Sequence, residues 1–174
     1  MDTKIPFYNL INIFLLGVVF VSGVIYLFYP LICTYSMNNV QFIKKLINDS
    51  FLFSLCIACN IYTVGIVVNR FSSIVIEFLF EKFKLIPKTE TRYACFNEAR
   101  KTNPFLYTLS REYAFSRGHT ALWLILTILS LCRQYWGISL AFLLLTILFS
   151  FSMRKFSYKI YNVIENYKNE KFKK

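Results

Sequence analysis

The chain has 174 residues, of which 56% are apolar, 19% aromatic and only 17% charged, and its mean hydropathy is +0.48. Soluble domains are about one quarter charged, so this composition excludes an ordinary water-soluble globule, and the aromatic content excludes a disordered chain. The basic residues behind the net charge of +11 first indicate how the chain is oriented in the membrane. They can also attract anionic lipid headgroups. Five cysteines, an odd number, do not make a secreted disulfide framework. The composition predicts a small all-α integral membrane protein.

Four apolar stretches are long enough to cross about 30 Å of hydrocarbon, which takes roughly 20 helical residues. They cover residues 7–29, 51–69, 119–136 and 137–153. We interpret the first as a retained helix, because its apolar run is longer than that of a signal peptide and no cleavage site of small residues follows. The last two stretches predict a helical hairpin with a tight turn at 134–137. We therefore expect one four-helix membrane domain over residues 1–174.

Orientation follows from the positions of Lys and Arg. The connection 70–118 holds nine of them and the tail 154–174 holds seven, whereas the connection 30–50 and the hairpin turn hold three together. Because basic residues concentrate in cytoplasmic loops, we predict that both termini and the long middle connection are cytoplasmic. The protein is expected in the inner (plasma) membrane, with the N-in/C-in topology.

Three helices are predicted to continue past the membrane, within 70–118 and 154–174. Residues 71–85 contain no helix breaker before Pro87, and residues 89–102 are the best candidate for a loop or short helix. Asn103 followed by Pro104 is a helix start signal. The tail carries one apolar stripe at helical spacing, formed by Phe156, Ile160, Val163, Ile164 and Tyr167. These apolar faces are expected to pack on one another or on a partner.

The sequence offers few candidates for catalytic, metal-binding or phosphate-binding residues. His119 is the one histidine, and no cysteine lies at metal-ligand spacing from it, so we predict an interfacial side chain and no metal site. No Asp or Glu lies inside a proposed span, which disfavours a proton-coupled carrier, and no glycine-rich phosphate loop is present. We therefore expect a non-enzymatic protein with no catalytic residues and no cofactor.

One motif supports an alternative. Cys56-Ile57-Ala58-Cys59 in the second span resembles the cysteine pair of DsbB-type thiol–quinone oxidoreductases. That resemblance implies a second cysteine pair in a long loop between spans three and four, but this connection is only a few residues here. Cysteine is also a common small apolar residue in membrane helices. A pore or holin-like membrane permeabiliser is a further alternative.

Four residues are candidates for helix packing or oligomerisation. Asn12 and Asn60 place amides inside spans, where amides hydrogen-bond across helices and fix packing or oligomer state. Ser54 and Ala58 form a small-xxx-small face on the second span.

Four lysines at the end of the tail are candidates for partner binding: Lys168, Lys171, Lys173 and Lys174. A continuous tail helix would place Lys168 roughly 20 Å beyond Arg154, about two Debye lengths from the headgroups. We therefore expect these lysines to meet an acidic partner surface, a neighbouring subunit, or nucleic acid brought by a partner. Direct nucleic-acid binding by this chain is not expected.

The whole layout, four spans with basic helical extensions, resembles the KwaA-type membrane subunits of the bacterial Kiwa anti-phage defence system. It is also broadly similar to the membrane accessory proteins of CRISPR systems. The resemblance covers the architecture and no diagnostic motif, so it assigns no functional residue. It implies a homo-oligomer that senses membrane perturbation and recruits a soluble cytoplasmic effector.

Overall fold

The computed structural model describes residues 7–38, 50–88 and 95–172. Within these ranges the chain is helical apart from short connections, and it contains no strand. The elements, in chain order, are α1 (Phe7–Asn38), α2 (Ser50–Phe71), a π-helix (Ser72–Ile76), α3 (Glu77–Lys82), α4 (Phe96–Thr102), α5 (Phe105–Cys132) and α6 (Trp136–Phe172).

Four stretches of the described chain are long and apolar enough to cross a membrane: Tyr8–Leu31, Ser54–Lys82, Phe105–Cys132 and Trp136–Lys171. Large apolar side chains remain exposed along them, as on α6 from Leu140 to Phe151. Such a surface would be unstable in water but suits a lipid environment. The expectation of an all-α protein with four helices of membrane-spanning length is confirmed.

The hairpin between α5 and α6 turns at 133–135, so the turn begins one residue earlier and ends two residues earlier than the predicted turn at 134–137. Gln134 adopts a left-handed conformation (φ 59°), and its N–H donates to the Leu131 carbonyl at 2.9 Å. The Tyr135 N–H donates to the Ser130 carbonyl at 3.0 Å, and this second hydrogen bond completes a Schellman motif. Trp136 therefore starts α6 instead of ending the third predicted span.

A second Schellman motif shortens the helical extension predicted over 71–85. Helix α3 ends at Lys82, and Lys84 adopts a left-handed conformation (φ 56°). The Lys84 N–H donates to the Glu81 carbonyl at 3.0 Å. The chain therefore turns at this point, and Ile86 becomes a buried core residue.

The start signal of the third long helix is confirmed. The Phe105 N–H at the first position of α5 donates to Asn103 Oδ1 at 3.1 Å. Helix α4 lies in the segment that was expected to be a loop or short helix, although residues 89–94 are outside the described ranges.

Two apolar clusters hold the helices together. The turn-side cluster contains Leu16, Leu27, Val68, Leu122 and Leu126. The tail-side cluster joins α4, α5, α6 and the segment around α3, and contains Ile76, Ile86, Ala99, Leu106, Leu109, Tyr113, Ala121, Met153, Ile160 and Ile164. The tail stripe therefore packs on other helices of the same chain. A buried carboxylate lies beside the tail-side cluster.

Candidate functional site

The candidate site starts at the π-helix Ser72–Ile76. The Glu77 N–H donates to the Ser72 carbonyl five residues back, and the Ser72 hydroxyl donates to the Asn69 carbonyl at 2.6 Å. In an uninterrupted α-helix, residues seven apart share a face, so Glu77 would lie on the same exposed face as Arg70. A π-turn contains more residues than an α-turn, which rotates Glu77 by about a quarter turn away from that face. Glu77 is accordingly buried while Arg70 is exposed.

Glu77 is held by two side chains of α5. The Tyr113 hydroxyl donates to Glu77 Oε1 at 3.0 Å, and Arg117 Nη1 donates to Glu77 Oε2 at 2.6 Å. Tyr113 is fully buried, and the Glu77 and Arg117 side chains are only 10% and 14% exposed. Tyr113 and Arg117 are four residues apart, so they share one face of α5. We call these three residues the Glu77 cluster.

The Glu77 cluster fixes the rotation of α3 against α5. A buried ion pair gains little over well-packed apolar residues, but removing one partner leaves an uncompensated buried charge, which is strongly destabilising. The Arg117 guanidinium also lies 5.7 Å from the Tyr113 ring centroid, within range for a cation–π contact. The cluster therefore tolerates only the helix orientation that keeps all three groups together.

Polar contacts continue between α5 and α6 beside the cluster. The Ser116 and Ser152 hydroxyls are hydrogen-bonded at 3.0 Å. His119 is buried, with Nδ1 3.0 Å from the Phe115 carbonyl, and it stacks on the Phe149 ring at 4.9 Å. His119 is therefore buried between the Phe115 and Phe149 rings, and the expectation that it lies at the membrane interface stays a prediction.

Helices α1 and α2 approach each other closely enough for backbone contact. A Cβ at Gly17 would overlap the Ile61 carbonyl oxygen, and a Cβ at Gly65 would overlap the Ile13 carbonyl oxygen. Only glycine permits this backbone contact. Asn12, one residue before Ile13, is buried, but its Oδ1 has no hydrogen-bond partner among the described residues, so its role in packing or oligomerisation stays a prediction.

The other predicted packing residues lie on the outer surface of α2. Ser54 and Asn60 are exposed and Ala58 is half-buried. The Asn60 side-chain amide donates to the Cys56 carbonyl of its own helix at 2.8 Å. Their role in an oligomer remains a prediction, because these positions face outward from the single chain.

Two of the four predicted tail lysines lie in the described chain with structured side chains. Lys171 Nζ donates to Glu98 Oε2 of α4 at 2.7 Å, and Lys168 is half-buried. The hydrogen bond from Lys171 lowers the pKa of the Glu98 carboxyl below its ordinary value. Lys173 and Lys174 are outside the described residues.

Close to this ion pair, a polar cleft of about 330 Å³ lies between α4 and the tail of α6 and is open to the surface. Its lining includes Ala99, Asn103, Val163, Asn166, Tyr167 and Glu170. The cleft and the Glu98–Lys171 pair form one polar surface at the end of the molecule opposite the α5–α6 turn.

The motif that suggested redox chemistry lies on the outside of α2. Cys56 and Cys59 are exposed free thiols. In the part of the chain that the structure describes, no group of three or more His, Cys, Asp and Glu residues is arranged to hold a metal ion.

No protein-family model matches the chain, and comparisons with curated proteins and with solved structures find no similar protein.

The Glu77 cluster was missed by the sequence reasoning because Glu77 lies 36 and 40 residues from its two partners. One signal was present: Glu77 interrupts the apolar run Ile74-Val75-Ile76 and Phe78-Leu79-Phe80. A carboxylate among such residues needs a partner.

Proposed function

We propose that the protein is a non-enzymatic membrane subunit that homo-oligomerises through its spans and recruits or signals to a soluble effector on its tail side. The observation that carries this proposal is the tail-side cluster. It packs α4 and the tail of α6 into an ordered surface that is continuous with helices of membrane-spanning length. The chain thus offers a shaped platform for a partner beyond the membrane.

Two features support partner docking on this surface. The tail from residue 154 to 174 carries seven Lys and Arg against two Glu, so it attracts an acidic partner. The cleft between α4 and α6 is polar and open, and the Glu98–Lys171 ion pair beside it is exposed. Docking there would not require the apolar core to open.

The proposed orientation places this platform in the cytoplasm, with both termini on that side of the inner membrane. The support is the distribution of basic residues, sixteen on the tail side against three on the other. With the resemblance in layout to Kiwa membrane subunits, it favours a role in anti-phage defence, in which the protein senses membrane perturbation and signals to the effector.

Oligomerisation is proposed through the outer face of α2. Asn60 and Ser54 are exposed polar side chains on the outer surface of α2, and the Asn60 amide has further hydrogen-bonding capacity beyond its bond to the Cys56 carbonyl. A polar group in lipid gains from a hydrogen bond to a neighbouring helix, although each such bond contributes only about 0.6 to 2 kcal/mol.

The decisive experiment is native mass spectrometry of the detergent-purified protein, alone and with the product of a neighbouring gene. We expect a homo-oligomer that binds the soluble partner and loses it in the Lys168→Glu/Lys171→Glu/Lys173→Glu/Lys174→Glu variant, in a salt-dependent way. The Cys56→Ser/Cys59→Ser variant is the matched control and should keep the partner. A strictly monomeric particle that binds nothing contradicts the proposal. Loss of function in the cysteine variant alone favours the thiol–quinone alternative.

A further inference from the structure

We infer that Arg70 and an adjoining apolar cleft form a binding site for an anionic phospholipid. The phosphate would lie on the guanidinium and an acyl chain in the cleft. The site needs no partner protein, so its test is independent of the function proposed above.

The first observation is the position of Arg70 in the middle of an apolar surface. Val67, one turn before it, is 62% exposed, and Ile74, one turn after it, is 70% exposed. Arg70 is itself exposed, and no described side chain forms an ion pair or hydrogen bond with it. A charged side chain is costly on a lipid-facing surface unless it reaches an opposite charge or water.

The second observation is depth. Glu77 is bonded to Arg117, and the neighbouring Ser116 is bonded to Ser152 of α6, just before the exposed apolar residues of α6 give way to Arg154. Glu77 therefore lies near the boundary of the apolar band. Arg70 precedes Glu77 by seven residues, about 10 Å along the helix, so it lies inside that band. A long arginine side chain at this depth reaches toward the headgroup phosphates.

The third observation is the cleft itself. It has a volume of about 290 Å³ and its lining includes Phe20 of α1, Val64, Val67, Val68 and Phe71 of α2, and Ile125 of α5. The volume is near the lower end of about 300 to 1,000 Å³ that is typical of small-molecule pockets, enough for part of an acyl chain. The one hydroxyl in its lining, that of Thr63, is already bonded to the Cys59 carbonyl at 2.8 Å. The cleft thus accepts an apolar occupant without leaving a polar group unpaired.

Charge complementarity identifies the occupant. An acyl chain alone would fit the cleft. Arg70 is outside the lining itself, but it lies one helical turn after Val67 and directly before Phe71 of the lining, so its positive charge is adjacent to the cleft. A guanidinium binds phosphate oxygens in a planar, bidentate geometry that an ammonium group cannot match. An anionic phospholipid of the leaflet on the tail side satisfies both parts of the site at once.

The test is native mass spectrometry of the full chain in mild detergent, titrated with dioleoylphosphatidylglycerol or dioleoylphosphatidylcholine. We expect tighter binding of phosphatidylglycerol, and a loss of about fivefold in Arg70→Gln, since one basic residue near an anionic surface contributes about 1 kcal/mol. Val67→Trp should weaken both lipids because the indole fills the cleft. Arg154→Gln, which changes an arginine outside the cleft, should reduce phosphatidylglycerol binding less than Arg70→Gln, and an equal loss in the two variants overturns the site. Ile66→Trp, which changes an α2 residue outside the cleft lining, should leave both affinities unchanged.

Helical content and particle size establish that each variant is folded, and Arg70→Lys should restore part of the phosphatidylglycerol preference. Unchanged binding in both Arg70→Gln and Val67→Trp overturns the site. Equal affinity for the two lipids in the wild-type protein overturns the choice of an anionic ligand. A smaller oligomer in Val67→Trp with unchanged lipid binding also overturns the inference, because it assigns the cleft to a second copy of the chain.

Discussion

The turn-side and tail-side parts of the bundle are held together by different kinds of contact. The turn-side cluster is made of Leu and Val side chains, and the close α1–α2 contact at Gly17 and Gly65 is made by backbone atoms. The tail side combines an apolar cluster with the buried Glu77 cluster. Close packing stabilises helices in lipid without restricting their chemistry, whereas a buried ion pair restricts the orientation of the helices that carry it. The tail side is therefore the part in which helix rotation is specified most strictly.

The largest loss in the free energy of unfolding is expected for Arg117→Gln, which removes the contact that fixes the orientation of α3 against α5. Removal of one partner of a buried ion pair costs about 3 to 5 kcal/mol, because the Glu77 carboxylate stays buried without its cation. Equilibrium unfolding in detergent micelles measures this loss. The double variant Glu77→Gln/Arg117→Gln should recover part of it, and the exposed Arg154→Gln is the control. Equal, small losses in Arg117→Gln and Arg154→Gln would contradict the role of the cluster.

A smaller loss, about 1 to 3 kcal/mol, is expected for Gly65→Ala, which adds one methyl group at the backbone contact. The new Cβ overlaps the Ile13 carbonyl oxygen, so α1 and α2 must separate. Gly137→Ala is the matched control, since a Cβ there meets nothing within 4 Å. The same unfolding measurement compares the two variants. Equal stabilities would show that α1 and α2 are not in tight backbone contact at Gly65.

Ser139→Ala should cost less, about 0.6 to 1 kcal/mol, the usual contribution of one interhelical hydrogen bond in a membrane protein. The buried Ser139 hydroxyl donates to the Ser130 hydroxyl at 2.8 Å and so joins α6 to α5 near the turn. The Ser150 hydroxyl bonds only within α6, at 2.7 Å from the Thr146 carbonyl, so Ser150→Ala is the control. A larger loss in the control would exclude an interhelical contribution from Ser139.

The smallest effect concerns the exposed Glu98–Lys171 pair. Because Lys171 lowers the pKa of the Glu98 carboxyl, the pair stabilises the fold above the ordinary carboxyl pKa. That contribution is lost as the pH falls through the lowered pKa. The protection factors of α4 amides, which are corrected for the intrinsic pH dependence of amide exchange, should therefore fall at low pH and at high salt in the wild type but change less in Lys171→Gln. Identical pH profiles for the two proteins would rule out this contact in solution.

Patterns among residues close in sequence were sufficient to predict much of the fold. The Asn103-Pro104 start and the apolar stripe of the tail depend on neighbours within a few residues, and both match the described helices. The two Schellman motifs were missed because their left-handed positions are Gln134 and Lys84, where glycine is the usual residue. The Glu77 cluster depends on a π-turn and on pairing across two helices, which helical periodicity does not encode.

Helix α6 has a mechanical consequence. Its 37 residues run without a proline from Trp136 to Phe172 and span about 55 Å, almost twice the hydrocarbon thickness of about 30 Å. In the proposed topology, the segment from Arg154 to Lys171 extends about 25 Å beyond the bilayer and would act as a lever arm. A change in bilayer thickness alters helix tilt, and a tilt of about 5° would move the Lys171 end by about 2 Å. Through the ion pair with Glu98, that displacement would pull on α4, so a small strain in the lipid would become a change in the shape of the polar cleft.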